Sequence, residues 1–484
     1  AETQKVVLHF HGGLVKKAKA LAKAEELTPV YQAAGAHPVF FVWESGLLET
    51  LSHNLHEISK EKIFKILVKK VLKHAAGKLF DTGPAKSATG VLQLPTDIEV
   101  AVELQKLEAG EEPYGHLKAP ADLDDLTDPQ EERFESELSA DSQFSKEVEA
   151  IVAAAHPEQI ETTAKGVTAV DRKSGRTLMS PEVIDELVED RSQAEAAGAK
   201  GVLSTAKLVL KAGKILFRVV RRMRKGRGHG LYVTVVEEIL RELYIANVGS
   251  EVWGMMKKET ADTFENAGKD PKRGGWLFVE ELGRLSQQGH RPEITLVGHS
   301  TGAVFICHLL AHVAAARQDP DHPLPADFTF KNVVFLAPAV SCALFADTLD
   351  KYAKLMDSFR MFTMTDANES DDTLVKVIYP RSLLYFVSGV VERETNGAGT
   401  FDLPLVGMER YFTDAGTYSM AEVATVRDYV QAKDTRAVWS DEDRGEGLAS
   451  NSFSHSDFDE IGQNPDGSER TTMKSVQHII AQGA

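Results

Sequence analysis

Short apolar, β-branched runs recur at both ends of the chain, each followed by a turn and a stretch of helical periodicity. Lys5 to Phe10 (KVVLHF) and Pro38 to Trp43 (PVFFVW) flank a helix predicted over Lys16 to Tyr31, which makes a βαβ start with parallel strands. The alternation returns at Glu293 to Val297 (EITLV), followed by a helix from Thr301 to about Ala316. Asn332 to Leu336 (NVVFL) is the next strand, a helix covers about Ser341 to Met356, and Phe359 to Thr365 (FRMFTMT) is another strand. A helix over Pro380 to Val391, with Pro380 suited to its first turn, precedes a last strand at Thr435 to Ser440 and a terminal helix at Thr472 to Ala481. Six strands alternating with helices predict an α/β chain with a mostly parallel, doubly wound sheet.

From about Ser45 to Ala267 the pattern is helical and contains few strand-like runs. The expected organisation is a first core segment at 1–45, a mainly helical cap or lid insertion at 46–267, and the rest of the core at 268–484. Within the insertion, residues 97–161 are strongly acidic, with Asp122-Leu-Asp-Asp125 as one cluster, and loop or loosely packed helix is expected there. Lys200 to Arg227 is the reverse: ten Lys and Arg, no acidic residue, and apolar residues interspersed at roughly helical spacing. A lysine-rich helix of similar character is predicted over Ile58 to Leu72.

A chain of 484 residues exceeds what one hydrophobic core usually organises, which agrees with an insertion. Its net charge of −17 excludes nucleic acid as a partner of the whole molecule. The longest nearly unbroken apolar run, Val333 to Ala346, is too short to cross a bilayer and contains Pro338. Cys307 and Cys342 read as small core residues rather than a disulfide framework or a zinc site. His9 and His11 stand two apart at a strand end, but no third ligand cluster joins them, so no metal and no cofactor is expected. A cytoplasmic location is the expectation, with a secreted or periplasmic one the alternative; oligomeric state is open.

Gly298-His299-Ser300-Thr301-Gly302 is a G-x-S-x-G pentapeptide lying between an apolar strand and an apolar helix. A serine on such a turn needs strained backbone angles, and the glycines two positions to either side allow neighbouring elements to come close. The following helix directs free N–H groups toward a developing oxyanion. A serine hydroxyl also needs a base and a third group to orient that base. His455 follows the last predicted strand in a polar loop, whereas His308, His312 and His478 fall on helices.

With HFHGG at 9–13, GHSTG at 298–302 and SHSDFD at 454–459, the chain resembles the α/β-hydrolase superfamily, and within it bacterial lipase- and esterase-like members. The resemblance covers the sheet at both ends of the chain but not the insertion, and the first two strands of the full fold are absent. It implies a Ser300 nucleophile, a His455 base, and an oxyanion hole made by Thr301 with Gly13 or Leu14. His11 and Gly12 would brace the oxyanion loop, as Gly298, His299 and Gly302 support the elbow. The superfamily's chain order Ser, Asp, His places the acid after the strand Phe359 to Thr365. Asp366 is the first choice there, with Asp371 and Asp372 as alternatives on the same loop. One departure is that caps usually enter after a later strand.

The expected activity is hydrolysis of a carboxylic ester, the substrate a small-molecule or lipid ester. Two rivals stand beside it. An exposed amphipathic helix within 200–227 would favour peripheral membrane contact and a phospholipase; packing of that stretch against the acidic segment is the plainer expectation. A non-catalytic, membrane-interacting scaffold with the same fold is the other.

Overall fold

The computed structural model describes residues 4–13, 16–43, 47–80, 94–117, 126, 128–154, 177–186, 202–245, 248–265, 273–319, 324–392 and 401–483. Leu14, the Asp122 to Asp125 cluster and Lys200 lie outside the described residues.

Six parallel strands form one sheet: β1 (Lys5–Phe10), β2 (Ala36–Phe41), β3 (Glu293–His299), β4 (Asn332–Leu336), β5 (Phe359–Met364) and β6 (Ala437–Ser440), in the order β2-β1-β3-β4-β5-β6. Each predicted strand is present to within two residues at either end. Their alternation sorts side chains to two faces. Val7, Val297, Val334, Phe362 and Val438 join Leu27 and Tyr31 of the helix Lys17–Ala33 and Met473, Val476 and Ile480 of the helix Thr472–Gln482. Leu8, Phe10, Leu296, Phe335 and Met361 face the other way, toward the helices Gly302–Gln318 and Cys342–Tyr352.

Among the described residues, no strand occurs between β2 and β3. The inserted helices share one continuous core with the second face of the sheet. The lysine-rich segment forms two helices, Leu47–Lys60 and Lys62–Leu79, rather than one. The break falls at Glu61, which is extended, and its carboxylate accepts from Leu178 N and Tyr244 Oη. The acidic stretch is more ordered than its charge suggests, with helices at Asp97–Gln105, Asp128–Ser139 and Ser142–Ala154. The first of these is held by a capping box between Thr96 and Glu99. The predicted helix Pro380 to Val391 starts only at Leu383, because Ser382 caps it by accepting from Tyr385 N. Its second half, Val387–Val391, widens to a π-turn where Gly389 meets the Glu237 carboxylate.

The basic stretch is a helix, Val202–Arg224. Lys211 and Arg218 both reach Glu242, at 3.1 and 2.8 Å. Arg222 is fully buried between Glu237 (2.7 Å) and Glu238 (2.9 Å). A seam of buried charge continues from here into the sheet domain. Arg227 Nε donates to Asp402 at 2.7 Å, Tyr379 Oη to Glu237 at 2.6 Å, and Trp253 Nε1 to Glu392 at 2.7 Å. These carboxylates lose their hydration on folding, and only such closely matched partners offset that loss.

Candidate active site

The turn after β3 carries Ser300 at φ +55°, a left-handed conformation that costs a non-glycine residue on the order of 1–3 kcal/mol. The surroundings force it. Ser300 N donates to Leu336 O at 2.8 Å and Ser300 O accepts from Ala339 N at 3.1 Å, so the turn is bolted to the end of β4. A Cβ at Gly298 would lie 2.7 Å from the Gly302 carbonyl carbon, and one at Gly302 would run into the Phe10 carbonyl oxygen. The two glycines are therefore dictated by close backbone approach, as their spacing around the serine suggests.

The loop after β1 lies alongside. Gly12 faces Ser300: a Cβ there would stand 3.4 Å from Ser300 Cβ. A Cβ at Gly13 would lie 2.6 Å from Thr301 Oγ1 and 2.7 Å from Met256 Sδ on the helix Ser250–Asp262. The Thr301 hydroxyl is buried there without a hydrogen-bond partner. His11 fixes this loop from behind. Its Nδ1 pairs with Gly12 O at 2.7 Å, its Nε2 accepts from Trp43 N at 3.2 Å, and its ring stacks on Trp43 at 4.0 Å. A carbonyl on one side and an N–H on the other require the Nδ1–H neutral tautomer, and burial pushes its pKa down.

His455 opens a 3₁₀ turn, His455–Asp459, beyond β6. Its ring stacks on His299, the residue before Ser300, with centroids 5.4 Å apart. Both ring nitrogens are buried without a hydrogen-bond partner. Burial, and then the charge of His299, push its pKa down to about 3, so the imidazole is neutral at ordinary pH. Ser300 is only 3% exposed and His455 8%, so the site is closed.

The three candidate acids part ways. Asp372 Oδ2 accepts from His455 N at 3.0 Å and its Oδ1 from Thr373 N at 2.9 Å; burial pushes its pKa up. Asp371 is exposed. The first choice, Asp366, accepts instead from Tyr385 Oη at 2.7 Å and lines a separate cleft of about 340 Å³ with Arg381, Arg410 and Glu112. The reason is local: Thr365 caps a helix at Asp366–Asp371, which turns position 366 toward Tyr385 and delivers position 372 to the 455 loop. Between them the Glu369 carboxyl is fully buried, and burial raises its pKa well above the usual carboxylate range.

Sequence reasoning did not single out Asp459. It lies 3.2 Å from His299 Nδ1, and burial opposes its charge, but His299 and Lys23 together hold its pKa well below the usual range. The signal was present in SHSDFD, where residues 455 and 459 share one turn. His9, also buried and pushed down to about 3 by desolvation, hydrogen-bonds Tyr31 Oη at 2.8 Å through its Nδ1. Among the described residues, no group of three or more His, Cys, Asp or Glu is arranged to hold a metal ion.

A parallel sheet in this order, with a strained serine on the turn after its third strand in sequence and a histidine loop beyond its last, is the α/β-hydrolase fold. Residues 278–371 match the family model described as "Alpha/beta hydrolase of unknown function (DUF900)", a span running from before β3 through the Ser300 turn to the end of the short helix after β5. The matched family is one of α/β hydrolases, and the match, over less than half of the chain, agrees with the fold in supporting the α/β-hydrolase superfamily. No curated protein and no solved structure matches it.

Proposed function

We propose that the protein hydrolyses carboxylic esters through an acyl-enzyme, with Ser300 as nucleophile, His455 as general base and Asp372 as the acid that orients it. The observation that carries this reading is a neutral, buried imidazole with both nitrogens unpartnered, stacked against the residue next to a strained serine. Buried polar groups are usually paired, and among the described histidines only His455 has both ring nitrogens buried and unpartnered. In the first step His455 takes the Ser300 proton as Oγ attacks the ester carbonyl, and the backbone N–H groups of Thr301 and Gly13 receive the oxyanion. The imidazolium then protonates the leaving alcohol, and water repeats the cycle to release the acid. Asp372 is chosen over Asp366 because it alone of the two touches the 455 segment.

The inserted helices would serve as the cap over this site. Met256 against Gly13 makes the helix Ser250–Asp262 the part that has to shift for an ester to enter. The basic helix Val202–Arg224 lends no separate support to a membrane-bound phospholipase, since Lys211, Arg218 and Arg222 are engaged by carboxylates.

The test is labelling by a fluorophosphonate probe together with a p-nitrophenyl ester series from short to long acyl chains. Labelling and turnover that both vanish in Ser300→Ala are expected. A parent protein that neither labels nor turns over any ester refutes the reading and leaves the non-catalytic scaffold in its place.

A further inference from the structure

His299, the residue before the nucleophile, is buried between two acceptors. Its Nδ1 lies 3.2 Å from Asp459 Oδ2 and its Nε2 2.9 Å from the His455 carbonyl oxygen. A carbonyl oxygen and an ionised carboxylate can only accept, so both ring nitrogens must carry protons and the ring is an imidazolium. Burial works against that charge, but Asp459 outweighs it and raises the pKa of His299 above its ordinary value. The other titratable groups facing this pair are His9 on β1, His11 in the loop after it, Lys23 and Tyr31 on the helix Lys17–Ala33, and His455 itself.

The geometry has a second half. The His455 N–H is held by Asp372 from the loop after β5, while its C=O is held by His299 from the turn after β3. The residue that must present its imidazole to Ser300 therefore hangs by its backbone between two loops, one of which is the nucleophile's own turn. No side-chain hydrogen bond fixes the ring. Its position is inherited from these two backbone bonds and from stacking on His299.

We propose that His299 is a positioning residue for the general base: an imidazolium secured by Asp459 that grips the His455 carbonyl and so registers the base to the nucleophile turn. This rests on His455 being the base, as argued above. The charge and the grip can be separated. Asp459→Asn lets His299 become neutral while its Nε2–H still donates to residue 455. In His299→Gln an amide N–H replaces that donor without charge, and His299→Phe removes both.

The experiment measures kcat, KM and the pH profile of kcat/KM on p-nitrophenyl butyrate for the parent and the three variants. Long-range proton–nitrogen NMR of the parent, at pH 7, reads the protonation state of the His299 ring. His299→Phe should lower kcat about ten- to a hundredfold with KM changed less than about threefold, since acylation suffers and ester binding does not. His299→Gln should recover most of that loss. His299→Gln should move the acid limb of the profile upward, because a positive charge beside His455 no longer opposes its protonation, and Asp459→Asn, which removes the neighbouring anion along with that charge, should move it upward by less. A merely structural role would not move that limb in a folded variant.

A His299 ring carrying one proton at pH 7 overturns the proposal, as does parent-like kcat with an unmoved acid limb in His299→Phe. Should His299→Phe fail to fold, the acid limbs of the other two variants decide. Failure of the underlying reading looks different: Ser300→Ala would retain turnover, or the parent would not label with fluorophosphonate, whatever the state of the His299 ring.

Discussion

Replacing Asp372 by Asn removes one charge while keeping a carbonyl oxygen able to accept from the His455 N–H, at present 3.0 Å away. The cost should therefore fall on catalysis rather than folding. In the acylation transition state His455 becomes an imidazolium in a site where it is only 8% exposed. Two opposite charges about 4 Å apart, at an effective dielectric near 20, attract by roughly 4 kcal/mol, and that is the scale of stabilisation asked of Asp372. That is about three decades in rate. We expect kcat/KM of Asp372→Asn on p-nitrophenyl acetate to fall about a thousandfold, with fluorophosphonate labelling slowed in parallel and the urea midpoint little changed. Asp366→Asn loses only the bond from Tyr385 in a separate cleft and should stay within about threefold of the parent. A collapse of activity in Asp366→Asn with Asp372→Asn near parental would refute the assignment.

Three further outcomes are expected. Gly13→Ala introduces a methyl 2.6 Å from Thr301 Oγ1 and 2.7 Å from Met256 Sδ, so it should displace the oxyanion loop and reduce kcat by about a hundredfold; parental kcat would show that the loop does not serve the oxyanion. Arg222→Met strands the buried carboxylates of Glu237 and Glu238 and should cost about 3–5 kcal/mol in a urea titration, whereas a change under about 1 kcal/mol would mean that the seam contributes little. His9 and His455 are both pushed down to about 3 from an ordinary 6.5, so between those values the unfolded chain binds protons that the folded one does not. Stability from these two is complete above about pH 6.5 and declines as pH falls, by on the order of a few kcal/mol; His299, raised, has the opposite sign and loses its contribution as pH rises through its folded value. Urea midpoints of the parent and His9→Gln at pH 7 and 4.5 test this: the variant should lose less on acidification, and equal losses would contradict it.

What the sequence disclosed follows from how local the governing physics is. The strands were legible because a buried parallel strand is a short unbroken apolar run, and the nucleophile turn because close backbone approach demands glycine at 298 and 302. The acid was harder to place. Asp366 and Asp372 sit on one short loop, and only the capping of the helix Asp366–Asp371 by Thr365 decides which carboxylate reaches the 455 loop. SHSDFD puts Asp459 on the same turn as His455, but its partnership with His299 depends on two distant loops converging. The seam through Arg222, Glu237 and Asp402 was hidden because its partners lie up to 175 positions apart, beyond any local pattern of charge.

The sheet order also has a consequence for synthesis. β1 is made first yet lies between β2 and β3, and Gly302 sits directly against the Phe10 carbonyl. Closing so long a loop adds only about 0.6 kcal/mol per doubling of its length, so the delay is one of sequence rather than of energy. On the ribosome the parallel β1–β2 pair must wait, with the other edge of β1 unpaired, until Glu293 and the rest of β3 have emerged. The reactive turn thus takes shape late, and a truncated translation product would carry no working serine.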